Sequence, residues 1–408
     1  MPTTPVSQHH QLLVVGGGNA GLSLAAQLLR ADGQLDVAIL EPSAKHHYQP
    51  AWTLVGGGAY DIKDTERAEA DYIPKGATWI QDAAATFEPE ANTVVTAGGQ
   101  RLTYDYLVVC PGIQLDWDKI KGAKEALGKN GVCSNYGYEL APYTWECLKS
   151  FTGGTALFSA PNTPIKCGGA PQKIMYLACD NWRKRDVLDK ADVRFTSGGS
   201  ILFGVKVFAD ALQKVVNRYG IKTEFFHNLK EIRGESQEAV YDVVKDGQVV
   251  DEVTMKFDLL HVVPPMSAPD FIKHSPLAVP GNPLGWVDVD KHTLQHVRYA
   301  NIFGLGDATS TPNAKTGAAV RKQVPVVVKN LFSLLKSRGL APNNAYNGYG
   351  SCPLITGYGK LILAEFDYDN KPTPTFPFNQ TQERFSMWLL KRYGLPWMYW
   401  NKILPGKA

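Results

Sequence analysis

The chain of 408 residues lacks any uninterrupted apolar run of about 18 residues, so no membrane-spanning helix is expected. Its first apolar stretch, Leu12 to Val15, runs directly into glycines. The preceding MPTTPVSQHHQ has neither a basic segment with an apolar core nor an Arg-rich amphipathic pattern, so no signal or transit leader is expected. An excess of charge of one sign is also missing. The 42 Lys and Arg against 39 Asp and Glu leave a net +3, too even to make nucleic acid an expected partner. Cysteines number only 6 and are scattered, which excludes a disulfide scaffold. No Cys-x-x-Cys pair and no cluster with ligand spacing occurs, so no metal site is expected. Glycine is abundant, with 38 residues, and 44% hydrophobic against 20% charged residues describes a folded chain of about two to three domains.

Leu12-Leu13-Val14-Val15 is continuously aliphatic, the pattern of a strand buried in a parallel sheet. It leads into Gly16-Gly17-Gly18-Asn19-Ala20-Gly21, where Gly16, Gly18 and Gly21 keep the GxGxxG spacing, and Leu22 to Arg30 continues as a helix. The first glycine permits a tight turn, the second lets backbone approach a pyrophosphate, and the third lets helix and strand pack closely. Phosphates then rest on the helix N-terminus, at Asn19 and Ala20. Asp36 to Leu40 forms a second strand ending at Glu41, 20 residues after Gly21, where a carboxylate accepts ribose hydroxyls. Strand, turn, helix, strand and acid fall in one βαβ unit, so a dinucleotide is expected.

Two distant segments indicate FAD. Ala300 to Ala308 is a short strand ending in Gly304-Leu305-Gly306-Asp307, which resembles the distal FAD fingerprint of two-dinucleotide flavoproteins. A helix N-cap is the simpler role for Asp307, and the two roles are compatible. Tyr106 to Gly112 resembles the strand that closes such an FAD domain. A second glycine loop for NAD(P)H should follow the strand Thr155 to Ala160. The sequence there is Pro161-Asn162-Thr163-Pro164-Ile165-Lys166-Cys167-Gly168-Gly169-Ala170-Pro171. Prolines remove the amide donors a pyrophosphate needs, so electrons are expected from a source other than NAD(P)H.

Cys167 lies in that rebuilt turn, beside Lys166 and just before a helical run from Gln172 to Trp182, a setting that lowers a thiol pKa. Cys352 lies 185 residues later, in a Gly- and Pro-flanked segment before the strand Lys360 to Phe366. Sequence spacing alone leaves the two either adjacent or unrelated. Cys110, Cys147 and Cys179 read as packing residues.

With these residues in place, the chain resembles the sulfide:quinone oxidoreductases, and within them the type II group. The likeness runs through Tyr48 to Gly56, Asn162-Thr163-Pro164, the Cys167 turn, Gly285 to Asp290, Gly306-Asp307, Ser351 to Leu354 and Ile362 to Tyr368. The resemblance implies a Cys167–Cys352 redox disulfide beside FAD, attacked by hydrogen sulfide to leave a persulfide on Cys352. Ubiquinone then accepts the electrons, and a small acceptor such as a thiol, sulfite or cyanide takes the sulfur. It also implies FAD contacts at Glu41, Gln49, Asp307 and Lys315, at the Gly112 strand end, and at backbone around Ala84. Type I members carry a third cysteine where Cys133 stands; type II members need only two, so Cys133 is expected to be inert. A type-two NADH:quinone oxidoreductase would need the missing glycine loop, and a flavocytochrome-linked sulfide dehydrogenase would need an export signal.

The tail from Arg384 to Ala408 holds five basic residues, no acidic ones, and three of the nine tryptophans. Phe385, Trp388, Leu389 and Tyr393 share a helical face until Gly394 and Pro396 are expected to break the helix. This composition suits an interfacial anchor with its cations toward lipid phosphates, or a helix docked on the protein's own core. A bilayer quinone favours the anchor, so peripheral, monotopic attachment to membrane lipid is expected, at a bacterial inner membrane. The expected fold is α/β, with two Rossmann-like dinucleotide-binding domains and a C-terminal amphipathic membrane-binding module. Residues 1–113 and 277–340 would form the FAD domain, 114–276 the inserted NAD(P)-like domain, and 341–408 the quinone and membrane module.

Overall fold

In the computed structural model, which describes residues 7–408, two α/β units share one plan. Residues 1–6, the opening of the expected first segment, lie outside the described residues. Strand β1 (Ser7–Val15) pairs in parallel with β2 (Val37–Leu40) on one side and with Arg101–Val109 on the other. Ala77–Ile80 extends the sheet beyond β2, and an antiparallel meander, Ala84–Glu88 and Thr93–Thr96, extends it beyond Arg101–Val109. Leu12 to Val15 are at most 2% exposed, as continuous aliphatics sandwiched between layers must be. Helix α1 (Asn19–Ala31) is buried along most of its length for the same reason. The distant strand Ile302–Gly304 joins this sheet, pairing with Leu107 to Val109.

The second unit repeats the arrangement. Val132–Cys133, Leu259–His261, Gly154–Ala160, Ala191–Ser197 and Lys222–Phe225 form a five-stranded parallel sheet in that spatial order. The helices Ala170–Lys184 and Lys206–Tyr219 are its crossovers. A three-stranded antiparallel sheet, His227–Arg233, Glu238–Lys245 and Gln248–Lys256, supplies the meander. Where the chain crosses between the units it pairs with itself, Gln114–Leu115 against Met266–Ser267.

The last 60 or so residues lie against both units. Gly350–Gly357 and Lys360–Phe366 form an antiparallel hairpin. The tail is helical without a break from Phe385 to Ile403, alternating α-helical and π-helical turns. The expected stop at Gly394 and Pro396 is thus corrected: the wider π turn Leu390–Gly394 absorbs the proline, which then sits at the start of the next α turn. No described helix is long and apolar enough to cross a membrane.

Candidate active site

The glycine turn after β1 has the shape its spacing requires. Gly16 adopts φ +106°, and a side chain there would strike the Cys110 carbonyl and Pro111. A side chain at Gly21 would enter the Gly16 carbonyl, so helix and strand touch only through glycine. At Gly18 a side chain would meet nothing within 4 Å, which leaves open space above the N-terminus of α1 where a phosphate fits. Asn19 and Ala20 open that helix; Asn19 Nδ2 lies against Gly317, at the start of the helix Gly317–Leu335, and Ala20 lies against Gly306. The two helix N-termini and the distal Gly306-Asp307 loop therefore converge. Thr316, not Asp307, caps the following helix, accepting from the Ala319 amide at 3.2 Å. Asp307 is left for another task.

Glu41 accepts the Gly17 amide on Oε2 and the Ser43 amide on Oε1, both at 2.8 Å. Each oxygen retains a lone pair for a ribose hydroxyl. Burial pushes its pKa up, against the pull of those two amides. Gly112 follows the strand end beside Gly16, and Ala84 starts the edge strand of the same sheet. These donors, acceptors and open space fit a flavin dinucleotide.

The segments carrying Cys167 and Cys352 meet beside Lys315. Cys167 lies in the turn after Gly154–Ala160 with φ +57°, a strained left-handed conformation for a side chain. Its amide donates to the Lys315 carbonyl at 2.8 Å, and its carbonyl accepts from the Ala170 amide at 2.7 Å. Cys352 sits in the hairpin strand Gly350–Gly357, and the two sulfurs are 3.7 Å apart. A side chain at Gly169 would lie 2.7 Å from Cys352 Sγ, so glycine there is a condition of the approach.

Electrostatics divide the two sulfurs. The Cys352 hydrogen bond holds Cys167 well below the usual thiol range, overcoming burial, with added pull from Lys173. Cys352 is pushed well above it, by Cys167 and by burial. Lys173 Nζ, 3% exposed and one turn into the helix Ala170–Lys184, donates to Cys167 Sγ at 2.9 Å. Lys391, buried on the tail helix, donates to the Pro50 carbonyl at 2.8 Å. Burial first, and Lys173 second, lower its pKa to about 7, with both cysteines pulling the other way.

Lys166 was expected to activate Cys167; it points away, donating to Gln49 Oε1 at 2.5 Å. Lys173 takes that role, because a helical turn brings its side chain back over the cysteine. Lys315, expected as an FAD contact, is buried. It is 6% exposed, donates to the Thr309 carbonyl at 2.9 Å, and lies 4.0 Å from the Trp286 ring centroid. Burial lowers its pKa to about 8, opposed by Asp307. Asp307 faces both Lys315 and Lys166, while burial pushes its own pKa up.

Sequence reasoning missed Lys173, Lys391 and Tyr136, whose hydroxyl donates to the Lys166 carbonyl at 3.3 Å. Lys173 could have been found from its spacing to Cys167; nothing local marks Lys391. Trp388 turns inward, so the exposed aromatic and apolar ridge is Phe385, Leu389, Tyr393 and Trp397. Cys133 is fully buried.

Comparison with known proteins identifies the family. A family model described as pyridine nucleotide-disulphide oxidoreductase matches residues 10–139. The chain is 47% identical over 97% of its length to the mitochondrial sulfide:quinone oxidoreductase of Dictyostelium discoideum, covering 86% of that protein. It is 45% identical over 98% of its length to the mitochondrial sulfide:quinone oxidoreductase of Mus musculus, covering 87% of it. The crystal structure of the sulfide:quinone oxidoreductase of Aquifex aeolicus superposes with a TM-score of 0.80 at 20% identity, over 98% of this chain and 92% of the other. The last likeness establishes the fold, two dinucleotide-binding units with C-terminal helices. The first two relatives are named as mitochondrial, which does not bear out a bacterial inner membrane.

Proposed function

The chain belongs to the sulfide:quinone oxidoreductases, and on that premise we propose that it carries FAD and oxidises sulfide through a Cys167–Cys352 disulfide. As a member of that family it is a flavin-type oxidoreductase that passes electrons from sulfide to quinone. The observation that carries the mechanism is the approach of two sulfurs 185 residues apart in sequence to 3.7 Å, against the Lys315 loop. Closing the disulfide would bring them from that separation to roughly 2.05 Å.

In the disulfide form, HS⁻ attacks Cys352 Sγ. The sulfur–sulfur bond to Cys167 breaks, leaving a persulfide on Cys352 and a thiolate on Cys167. Cys167 is the better leaving group because its thiolate is the stabilised one. Lys173 holds the released charge, and Lys391 adds a proton-exchanging amine within the same enclosure. FAD, when bound, supplies the two-electron acceptor that connects this sulfur chemistry to the quinone. Gly16, Gly18, Gly21, Asn19 and Ala20 would cradle its pyrophosphate, and Glu41 would hold the ribose. Gln49, Asp307, Lys315 and backbone near Ala84 and Gly112 would make the remaining contacts. A small thiol, sulfite or cyanide would remove the outer sulfur from Cys352.

The rebuilt turn weighs against a nicotinamide nucleotide, since Pro161, Pro164 and the left-handed Cys167 occupy the place of a phosphate-binding loop. The exposed ridge Phe385, Leu389, Tyr393 and Trp397 supports attachment to lipid, where a quinone is met. The paired crossing of Gln114–Leu115 against Met266–Ser267 supports a division into 1–113 with 277–340, 114–276 and 341–408, although Ala268 and Ile272, ahead of 277, already pack in the core of the first unit. The test is anaerobic reduction of the bound flavin by sulfide or by NADH. Bleaching by sulfide is expected; bleaching by NADH alone overturns the reading.

A further inference from the structure

The last turns of the tail lie on the two elements that flank the glycine turn. On α1, a side chain at Gly406 would strike the Gln27 amide and Ala26, and Gln27 Nε2 donates to the Ala408 carbonyl at 3.3 Å. Tyr399, Trp400, Ile403 and Leu404 share one apolar cluster with Leu22, Leu24 and Leu28 of α1. The other flank is a two-stranded ribbon that starts four residues after Glu41, Lys45–His47 against Glu66–Ala68. His46 in that ribbon is buried, with Nε2 2.6 Å from the Tyr399 hydroxyl and Nδ1 2.8 Å from Glu69 Oε2. With its ring proton on Nδ1, His46 accepts from Tyr399 and donates to Glu69. Aromatic rings close around it, Tyr48 at 4.7 Å from Tyr399 and Trp400 at 5.6 Å from His46 between centroids. The second oxygen of Glu69 carries the chain of contacts further. Glu69 is 2% exposed, its Oε1 has no hydrogen-bond partner among the described residues, and a side chain at Gly17 would lie 2.7 Å from that oxygen. The Gly17 amide is the one that Glu41 holds at 2.8 Å. Contacts thus run from the tail, through His46 and Glu69, to the turn that positions the ribose acceptor.

We propose that Tyr399, His46 and Glu69 are positioning residues for the flavin, a latch by which the docked tail holds the Gly17 turn and slows the release of FAD. The proposal rests on FAD lying at the glycine turn, as above, and is independent of the sulfur chemistry. A turn built of Gly16, Gly17 and Gly18 has no side chains of its own to pack, so its neighbours must hold it in shape. The tail holds both neighbours, α1 through Gly406 and the ribbon through Tyr399. Opening the latch frees the ribbon that follows Glu41 and withdraws the carboxylate packed against Gly17. Local opening of this kind is set by the few contacts that bridge the segment, not by the stability of the whole fold. A contact that holds the bound state registers in the rate of dissociation.

The flavin-loaded full chain is diluted at a fixed temperature below unfolding, and FAD release is followed by the fluorescence the flavin gains on leaving the protein. Tyr399→Phe should release FAD about fivefold faster, the effect of one lost buried hydrogen bond. His46→Phe breaks both links and should release it at least as fast. The double variant should be no faster than His46→Phe alone, because the latch is then already open. Tyr219→Phe is the control. It removes a buried hydroxyl of the second unit, which donates to the Thr356 carbonyl at 2.9 Å, and should leave FAD release at the native rate. Release from Tyr399→Phe at the native rate overturns the proposal. So do effects of the two latch variants that multiply, or release from Tyr219→Phe as fast as from Tyr399→Phe. If His46→Phe does not fold, the comparison of Tyr399→Phe with Tyr219→Phe decides. A native chain that binds no FAD refutes the cofactor reading and the latch with it, whereas FAD held equally by native chain and variants refutes the latch alone.

Discussion

Removing the Lys173 ammonium, 2.9 Å from Cys167 Sγ, should raise the thiol pKa, because the cation favours the charged form. In dithiol-reduced Lys173→Met the midpoint for iodoacetamide trapping of Cys167 should move to higher pH by about one unit, worth about 1.4 kcal/mol. At fixed neutral pH trapping slows by up to about tenfold; an unmoved midpoint would show that Lys173 does not act on Cys167. Gly169→Ala is a second residue-scale test. Its added carbon would lie 2.7 Å from Cys352 Sγ, so the hairpin must shift, at about 1–3 kcal/mol of overpacking. Mass spectrometry should then find slower closure of the Cys167–Cys352 disulfide, and closure at the native rate would remove the requirement for glycine. Cys167 was legible in the sequence as a reactive thiol because its turn departs from the phosphate loop. Its activating lysine was read as Lys166, seven residues before Lys173, because neighbours in sequence point apart while a residue one turn into the following helix points back.

At the scale of elements, the C-terminal helix does two jobs at once. One side is locked to the protein: His46 bridges Tyr399 OH at 2.6 Å and Glu69 Oε2 at 2.8 Å, and Trp400, Ile403 and Leu404 are buried. The other side exposes Phe385, Leu389, Tyr393 and Trp397 at a spacing of four. Anchor and docked helix were alternatives in the sequence; burial of Trp388 and Lys391 shows that the docked reading describes one side, and the anchor is proposed for the other. Replacing all four ridge residues by serine should release the protein from liposomes while leaving flavin reduction by sulfide intact; unchanged partitioning would refute the anchor. Deleting the tail from Gln382 onward would be a poorer test, since it also removes buried Lys391 and Tyr399. Tyr399→Phe should cost about 1 kcal/mol by leaving His46 Nε2 without its partner. Faster amide exchange across 395–408 is its expected signature.

Across the whole molecule, four segments far apart in sequence build one site: the turn after β1, the Cys167 turn, the Gly306–Lys315 loop and the hairpin bearing Cys352. The β1–α1–β2 unit was legible because every contact in it is local and glycine tolerates what other residues cannot. The strand Ile302–Gly304 was legible as a fingerprint, but its place beside Arg101–Val109 depends on long-range pairing that no local pattern records. The meeting of Cys167 with Cys352 is of the same kind: it needs the second sheet, the hairpin and a glycine at 169. The measurement that bears most directly on it is stopped-flow absorbance of the bound flavin after anaerobic mixing with sulfide, in the native protein and in Cys352→Ser. Rapid bleaching in the native protein and none in the variant, with flavin still bound, is the predicted result; bleaching of the variant at the native rate would contradict a dithiol route for the electrons.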